Sequence, residues 1–204
     1  MEIKVLRLGL IRTNCYLVST EKTAIVIDPG FVSNKTEQFL KENEGKERLI
    51  LLTHNHFDHI GGADILRKKT GVKIAVGEID GADLSNPEVN LSYKFRAHLE
   101  PFSADILFKD GEEVRVGDIE FKVILTPGHT LGSVCYLSGD VLFSGDTLFY
   151  ESVGRTDFIN GDFNAIKNSV QKLYKLNGET VVLSGHGEQT TIAHERLYNP
   201  FVKG

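Results

Sequence analysis

Thr53-His54-Asn55-His56-Phe57-Asp58-His59-Ile60-Gly61-Gly62 carries three imidazoles and a carboxylate within six residues, His54 to His59. It follows Leu49-Ile50-Leu51-Leu52, an apolar run of the kind found in strands covered on both faces. In an extended turn, residues two apart project to one side. His54 and His56 can therefore reach one cation while Asp58 and His59, turning into a helix, reach a second. Gly61 and Gly62 then allow backbone to approach closely. Neutral imidazole and carboxylate suit Zn²⁺, Fe and Mn, and with no cysteine in the cluster a catalytic site is favoured over a structural one.

The same arrangement recurs along the chain. Phe121-Lys122-Val123-Ile124-Leu125-Thr126-Pro127-Gly128 leads to His129, Val141-Leu142-Phe143-Ser144-Gly145 to Asp146, and Val181-Val182-Leu183-Ser184-Gly185 to His186. Small residues directly after an apolar run mark the turn off a strand. Four strands thus deliver candidate ligands from their ends. Ala24-Ile25-Val26-Ile27-Asp28-Pro29-Gly30 repeats the pattern, with Asp28 where the others carry a ligand. Five of the seven histidines belong to this set, whereas His98 and His194 stand alone and are read as ordinary satisfied or exposed residues.

Between the strands, helices are expected over about 34–43, 60–70, 162–174 and 190–197, with Asp162 and Thr190-Thr191 as N-caps. Early strands at 2–8, 14–19 and 23–28 complete an α/β chain of mixed sheets with helices outside. Residues 84–105 read as a loop or lid. With 204 residues and no linker of Pro, Gly and Ser, the chain forms one domain, 1–204.

Composition excludes several classes of function. The chain is 41% hydrophobic and 25% charged, an ordinary globular balance. A net charge of −5 without a block of Lys or Arg argues against a nucleic-acid partner. No apolar run approaches the roughly 20 residues of a membrane span. The start, Met1-Glu2-Ile3-Lys4-Val5-Leu6-Arg7-Leu8, alternates like a strand rather than like a signal peptide. Cys15 and Cys135 lie singly in strand-like segments, which suits small core residues, and the expected location is the cytoplasm.

Residues 53–59 followed by His129, Asp146 and His186 in this order resemble the metallo-β-lactamase superfamily, over nearly the whole chain. The resemblance implies a four-layer αββα sandwich with two divalent metal ions, Zn by first choice and Fe or Mn as alternatives, at one edge between two sheets. It gives one site His54, His56 and His129, the other Asp58, His59 and His186, and makes Asp146 the bridge. Asp58 and Asp146 are then the catalytic carboxylates. Asp28 matches the superfamily's early aspartate, which orients the ligand loop.

Two metal ions about 3.5–4 Å apart can share one water, lower its pKa from 15.7 towards about 7 and polarise a carbonyl. No serine or cysteine nucleophile is then required. A thiol leaves as thiolate with a pKa of about 8.5, so a thioester needs less acid assistance than an amide. The run Asp146-Thr147-Leu148-Phe149-Tyr150-Glu151-Ser152-Val153-Gly154-Arg155-Thr156-Asp157-Phe158 and the end Thr190-Thr191 through Asn199-Pro200-Phe201 resemble the glyoxalase II branch, the hydroxyacylglutathione hydrolases. That branch places a substrate-holding cation nine residues after the bridging aspartate, where Arg155 falls. Two departures stand out: Asp157 replaces a tyrosine, and no helical C-terminal domain for gripping glutathione follows residue 201. The resemblance therefore implies a hydrolase acting on a small thioester. Gly154-Arg155-Thr156-Asp157 also resembles the persulfide dioxygenases, which implies as an alternative a single iron held by His54, His129 and Asp146.

Overall fold

The computed structural model describes residues 1–204. The chain opens with the antiparallel strands β1 (Glu2–Leu8), β2 (Thr13–Ser19) and β3 (Thr23–Ile27), then crosses through helix α1 (Asn34–Glu42) to β4 (Glu47–Leu52), parallel to β3. After β4 come α2 (Phe57–Ile60), α3 (Ala63–Thr70), β5 (Ile74–Gly77), α4 (Glu78–Gly81), α5 (Ser92–Phe95) and β6 (Ile106–Phe108). These strands form one sheet in sequence order, parallel from β3 to β6.

The second half supplies β7 (Glu113–Val116), β8 (Ile119–Leu125), β9 (Val134–Ser138), β10 (Val141–Gly145), the small hairpin β11 (Leu148–Phe149) and β12 (Ser152–Val153), α6 (Phe163–Leu173), β13 (Val181–Ser184), β14 (Thr190–Thr191) and α7 (Ile192–Tyr198). Its sheet runs β14-β13-β10-β9-β8-β7. β10 and β13 are parallel, and β8 points the same way as β10 because each is antiparallel to β9. The C-terminal ends of β8, β10 and β13 therefore share one edge, as do those of β3 and β4 in the first sheet.

Alternation along each strand sorts side chains into layers. Ile25, Ile27, Leu49 and Leu51 face the second sheet and meet Phe121, Val123, Tyr136 and Phe143, all within one buried cluster. Val26, Ile50 and Leu52 face the other way, against Leu40 of α1 and Leu66 of α3. Cys135, Leu142 and Val182 do the same on the second sheet, against Val170 and Leu173 of α6 and Ile192 of α7. The result is the expected αββα sandwich. Both cysteines are free and buried, and burial pushes the Cys135 thiol up to about 11, so both serve as core residues.

The helix expected over 60–70 is broken. Asp58 and His59 lie in the single turn α2, and α3 starts at Ala63 because Gly61 and Gly62 pack against the backbone of 29–31. A Cβ at Gly62 would sit 2.6 Å from the Pro29 carbonyl and 2.7 Å from that of Phe31. The helix expected over 190–197 starts two residues later: Thr190 and Thr191 pair with β13 as an edge strand, and Thr191 then caps α7 through its hydroxyl. Residues 84–105 include the turn α5 and are pinned by the buried Leu84, Asn90, Leu91 and Phe102, so the expected loop is an ordered cover. Gly62→Ala should destabilise the fold by about 1–3 kcal/mol through overpacking; an unchanged urea midpoint would show that this contact is dispensable.

Candidate metal centre

Each candidate ligand leaves the shared edge at the end of a strand. His54 and His56 follow β4, Asp58 and His59 occupy α2, His129 follows β8, Asp146 follows β10 and His186 follows β13. The structure brings all seven together. Ligand atoms of His54, His56 and His129 lie within 4.8 Å of one another, as do those of His54, His59 and Asp146, and those of Asp58, His59 and His186. Asp146 stands between the groups: its Oδ1 is 3.3 Å from His59 Nε2, and its Oδ2 is 3.4 Å from His129 Nε2 and 3.6 Å from His186 Nε2. His98 and His194 lie outside the cluster and pair with Glu100 and Glu151.

Hydrogen bonds behind the cluster set which ring nitrogen points inward. Asp28 accepts from the Thr53 amide at 2.8 Å, from the Thr53 hydroxyl at 2.7 Å and from His59 Nδ1 at 2.9 Å. Because the Thr53 hydroxyl donates to Asp28, its lone pair faces His54 Nδ1 at 3.0 Å, so that nitrogen carries the proton. His129 Nδ1 donates to the Arg155 carbonyl at 2.7 Å. In all three rings the Nε2 lone pair is left for a cation, which is the role expected of partners behind metal ligands. Asp28 itself holds φ +50°, a left-handed backbone that aspartate tolerates better than most residues.

The donor set fits cations on two counts. His54 Nε2, His56 Nε2, His129 Nε2 and Asp146 Oδ1 are buried and make no hydrogen bond, a costly arrangement unless something accepts their lone pairs. Burial, aided by neighbouring histidines, pushes His54 well below the usual histidine range and His56 down to about 3, so both are neutral donors at pH 7. At His59, burial opposes charge, yet the carboxylates of Asp58, Asp146 and Asp28 outweigh it and raise its pKa well above the ordinary value. This half of the cluster calls for positive charge, and the other half offers lone pairs.

The cluster floors a cleft of about 430 Å³ walled by Ile11, Phe57, Leu91, Phe95, Phe149 and Phe158. Phe95, from the 84–105 cover, stacks on Phe57 with ring centroids 5.2 Å apart. Arg155 lines the cleft, with its guanidinium 4.3 Å from the Phe158 ring centre and forked onto Asp157 at 2.9 and 2.7 Å. Outside the ligand set, no Asp, Glu, Lys or Tyr lines the cleft.

A profile of the metallo-β-lactamase superfamily matches residues 8–186. The chain belongs to the metallo-β-lactamase superfamily. It is 36% identical to the probable metallo-hydrolase YqgX of Bacillus subtilis (strain 168), over 96% of this chain and 95% of that protein. It is 33% identical to the hydroxyacylglutathione hydrolase GloC of Haemophilus influenzae, over 99% and 98%. Among solved structures it resembles the B3 metallo-β-lactamase BLEG-1 (38% identity, TM-score 0.91, 100% of both chains). ETHE1 from Myxococcus xanthus (32%, 0.79, 98% of this chain and 84% of that one) and TTHA1623 in a di-iron-bound form (32%, 0.84, 98% and 100%) are also similar. The two-sheet architecture described above is that of this superfamily.

Several residues around the site carry no metal-binding signature. Asn14 Nδ2 donates to the Ser184 and Gly187 carbonyls at 3.0 and 3.1 Å, and the Tyr16 hydroxyl to Ser184 at 2.6 Å, which together hold the loop of His186. The fully buried Glu195 accepts from Thr190, Asn199 and the Glu151 amide, and so anchors the β11–β12 hairpin beside the cleft. Nothing in the sequence marked Asn14, Tyr16 or Glu195. Asp28→Asn should weaken metal affinity about 10- to 100-fold, because an amide cannot accept all three hydrogen bonds. Competition against a chelator would measure this, and wild-type affinity would remove Asp28 from the role given to it.

Proposed function

We propose that this member of the superfamily is a dinuclear metallo-hydrolase acting on a small acyl thioester, of which a hydroxyacylglutathione is the first candidate. The observation that carries the reading is the cleft: five of the seven ligand side chains, His56, Asp58, His129, Asp146 and His186, line its floor, its walls are largely apolar, and beyond the ligand set it has no Asp, Glu, Lys or Tyr to act as a general acid. His54, His56 and His129 would hold one ion and Asp58, His59 and His186 the other, with Asp146 shared between them. When bound, such a pair supplies an activated water and polarises the acyl carbonyl. A thiolate can leave without being protonated, whereas the amine of a β-lactam or peptide needs a proton that this cleft has no dedicated group to deliver. GloC's likeness over the full chain supports the thioester, and the donor set is equally suited to zinc, iron or manganese.

The protein's own residues would do three things. Phe57, Phe95, Phe149 and Phe158 exclude bulk water from the reacting end of the substrate. Asp28, Thr53 and the Arg155 carbonyl keep the ligand imidazoles in one tautomer. The Arg155 side chain would hold an anionic group of the thiol portion at the mouth. Its bond to Asp157 is solvent-exposed, and exposed ion pairs contribute little, so a substrate carboxylate can exchange for it.

A second reading, a mononuclear-iron persulfide dioxygenase, draws on the run Gly154-Arg155-Thr156-Asp157, part of which lines the cleft. It requires one iron per chain and oxygen uptake with glutathione persulfide.

Metal-replete protein should hydrolyse S-D-lactoylglutathione, followed by loss of thioester absorbance, and a chelator should abolish the reaction; a β-lactam should be turned over far more slowly. Absence of thioester turnover together with persulfide-dependent oxygen consumption would reverse the order of the two readings. Arg155→Ala should raise KM by about tenfold, equivalent to about 1.4 kcal/mol, with kcat little changed. Unaltered KM would limit Arg155 to bracing the loop through Asp157 and to its carbonyl contact with His129.

A further inference from the structure

Asp80, in α4, is a buried carboxylate that does not belong to the ligand set, being only 2% exposed. Its Oδ2 accepts from the Asn55 amide at 3.0 Å and from the Thr130 hydroxyl at 2.8 Å, and its Oδ1 accepts from the Gly132 amide at 2.8 Å. Asn55 lies between His54 and His56, and Thr130 directly follows His129. One carboxylate thus joins the two loops that carry the three-histidine half of the cluster, although these loops leave different sheets, after β4 and β8.

Burial makes this an unfavourable place for a charge and pushes the Asp80 carboxyl up to about 6, against the opposing effect of its hydrogen bonds. An apolar residue would fill the volume without that penalty. What only the carboxylate supplies is three acceptor directions facing three fixed donors. The packing is correspondingly tight. A Cβ on Gly132 would lie 2.3 Å from the Asp80 amide nitrogen and 2.5 Å from Asp80 Oδ1, so the loop after His129 approaches α4 as closely as glycine permits. Other bonds also cross between the sheets here, Val134 amide to Thr53 carbonyl at 2.9 Å and Tyr136 hydroxyl to Leu52 carbonyl at 2.8 Å. Those fix the strands, whereas Asp80 holds the residues adjoining the ligands.

We infer that Asp80 is a positioning residue for the three-histidine half of the metal centre: by holding Asn55, Thr130 and Gly132 together, it sets the spacing of His54 and His56 from His129 and hence that half's affinity. This rests on the dinuclear reading above. Asp80 is not itself a ligand, because both of its oxygens are engaged by protein donors.

The test is a Zn²⁺ titration of metal-free protein against a competing chelator, with the imidazole ¹⁵N resonances reporting which histidines bind. Wild-type protein should take two equivalents. In Asp80→Asn, which keeps the shape but turns an amide N–H₂ towards existing donors, Zn²⁺ at His54, His56 and His129 should bind about tenfold or more weakly. The equivalent at His59 and His186 should stay within about threefold, since only the first half is joined through Asp80. Unchanged affinities, or equal weakening of both halves, would overturn the inference. Should Asp80→Asn fail to fold, Thr130→Val removes one donor and leaves the carboxylate; the same selective weakening is expected, and its absence would be equally decisive. Wild-type protein that binds fewer than two equivalents would instead sink the dinuclear reading, and the role of Asp80 with it.

Discussion

A buried carboxylate needs donors for its oxygens, and Asp28 has three of them: the Thr53 amide, the Thr53 hydroxyl and His59 Nδ1. This contact joins the end of β3 to the loop after β4, and through Thr53 it reaches His54 as well. Two histidines of the cluster are thereby oriented by a residue that cannot touch a bound ion through the same oxygens. The parallel pairing of β3 with β4 makes the arrangement possible, because it brings two strand ends out at one edge in register. The left-handed backbone of Asp28 is the local strain that this geometry entails.

Around that contact the two sheets divide the work. The first supplies a compact ligand turn, His54 to His59, and the second supplies three separate strand ends. The inter-sheet core, from Tyr16 and Ile25 across to Phe121 and Phe143, fixes the distance over which they must meet. Most polar groups in this interior have an assigned partner or face the cluster. Asp80 and Glu195 illustrate the first case, and the unpartnered Nε2 atoms of His54, His56 and His129 illustrate the second.

The strand ends that carry the candidate ligands were legible in the sequence as short-range pattern, an apolar run, small residues, then a histidine or aspartate, whereas the αββα sandwich was implied by the resemblance to the superfamily. Asp80 and Asn14 were not legible, because their partners are backbone groups or a hydroxyl between 25 and 173 residues away, which no local spacing encodes. The break between α2 and α3 was hidden for a related reason. Gly61-Gly62 fits a helix start as well as a close crossing, and only the backbone of 29–31 decides between them. Arg155 was legible as a position, whereas its fork onto Asp157 depends on the loop's path around Phe158.

On the proposed reading, seven side chains from four strand ends hold two ions side by side. Anomalous diffraction from crystals of the Zn²⁺-loaded protein tests it most directly. Two peaks about 3.5–4 Å apart are expected, one bounded by His54, His56 and His129 and the other by Asp58, His59 and His186, with Asp146 between them. A single fully occupied peak, or ions bound away from these residues, would contradict it.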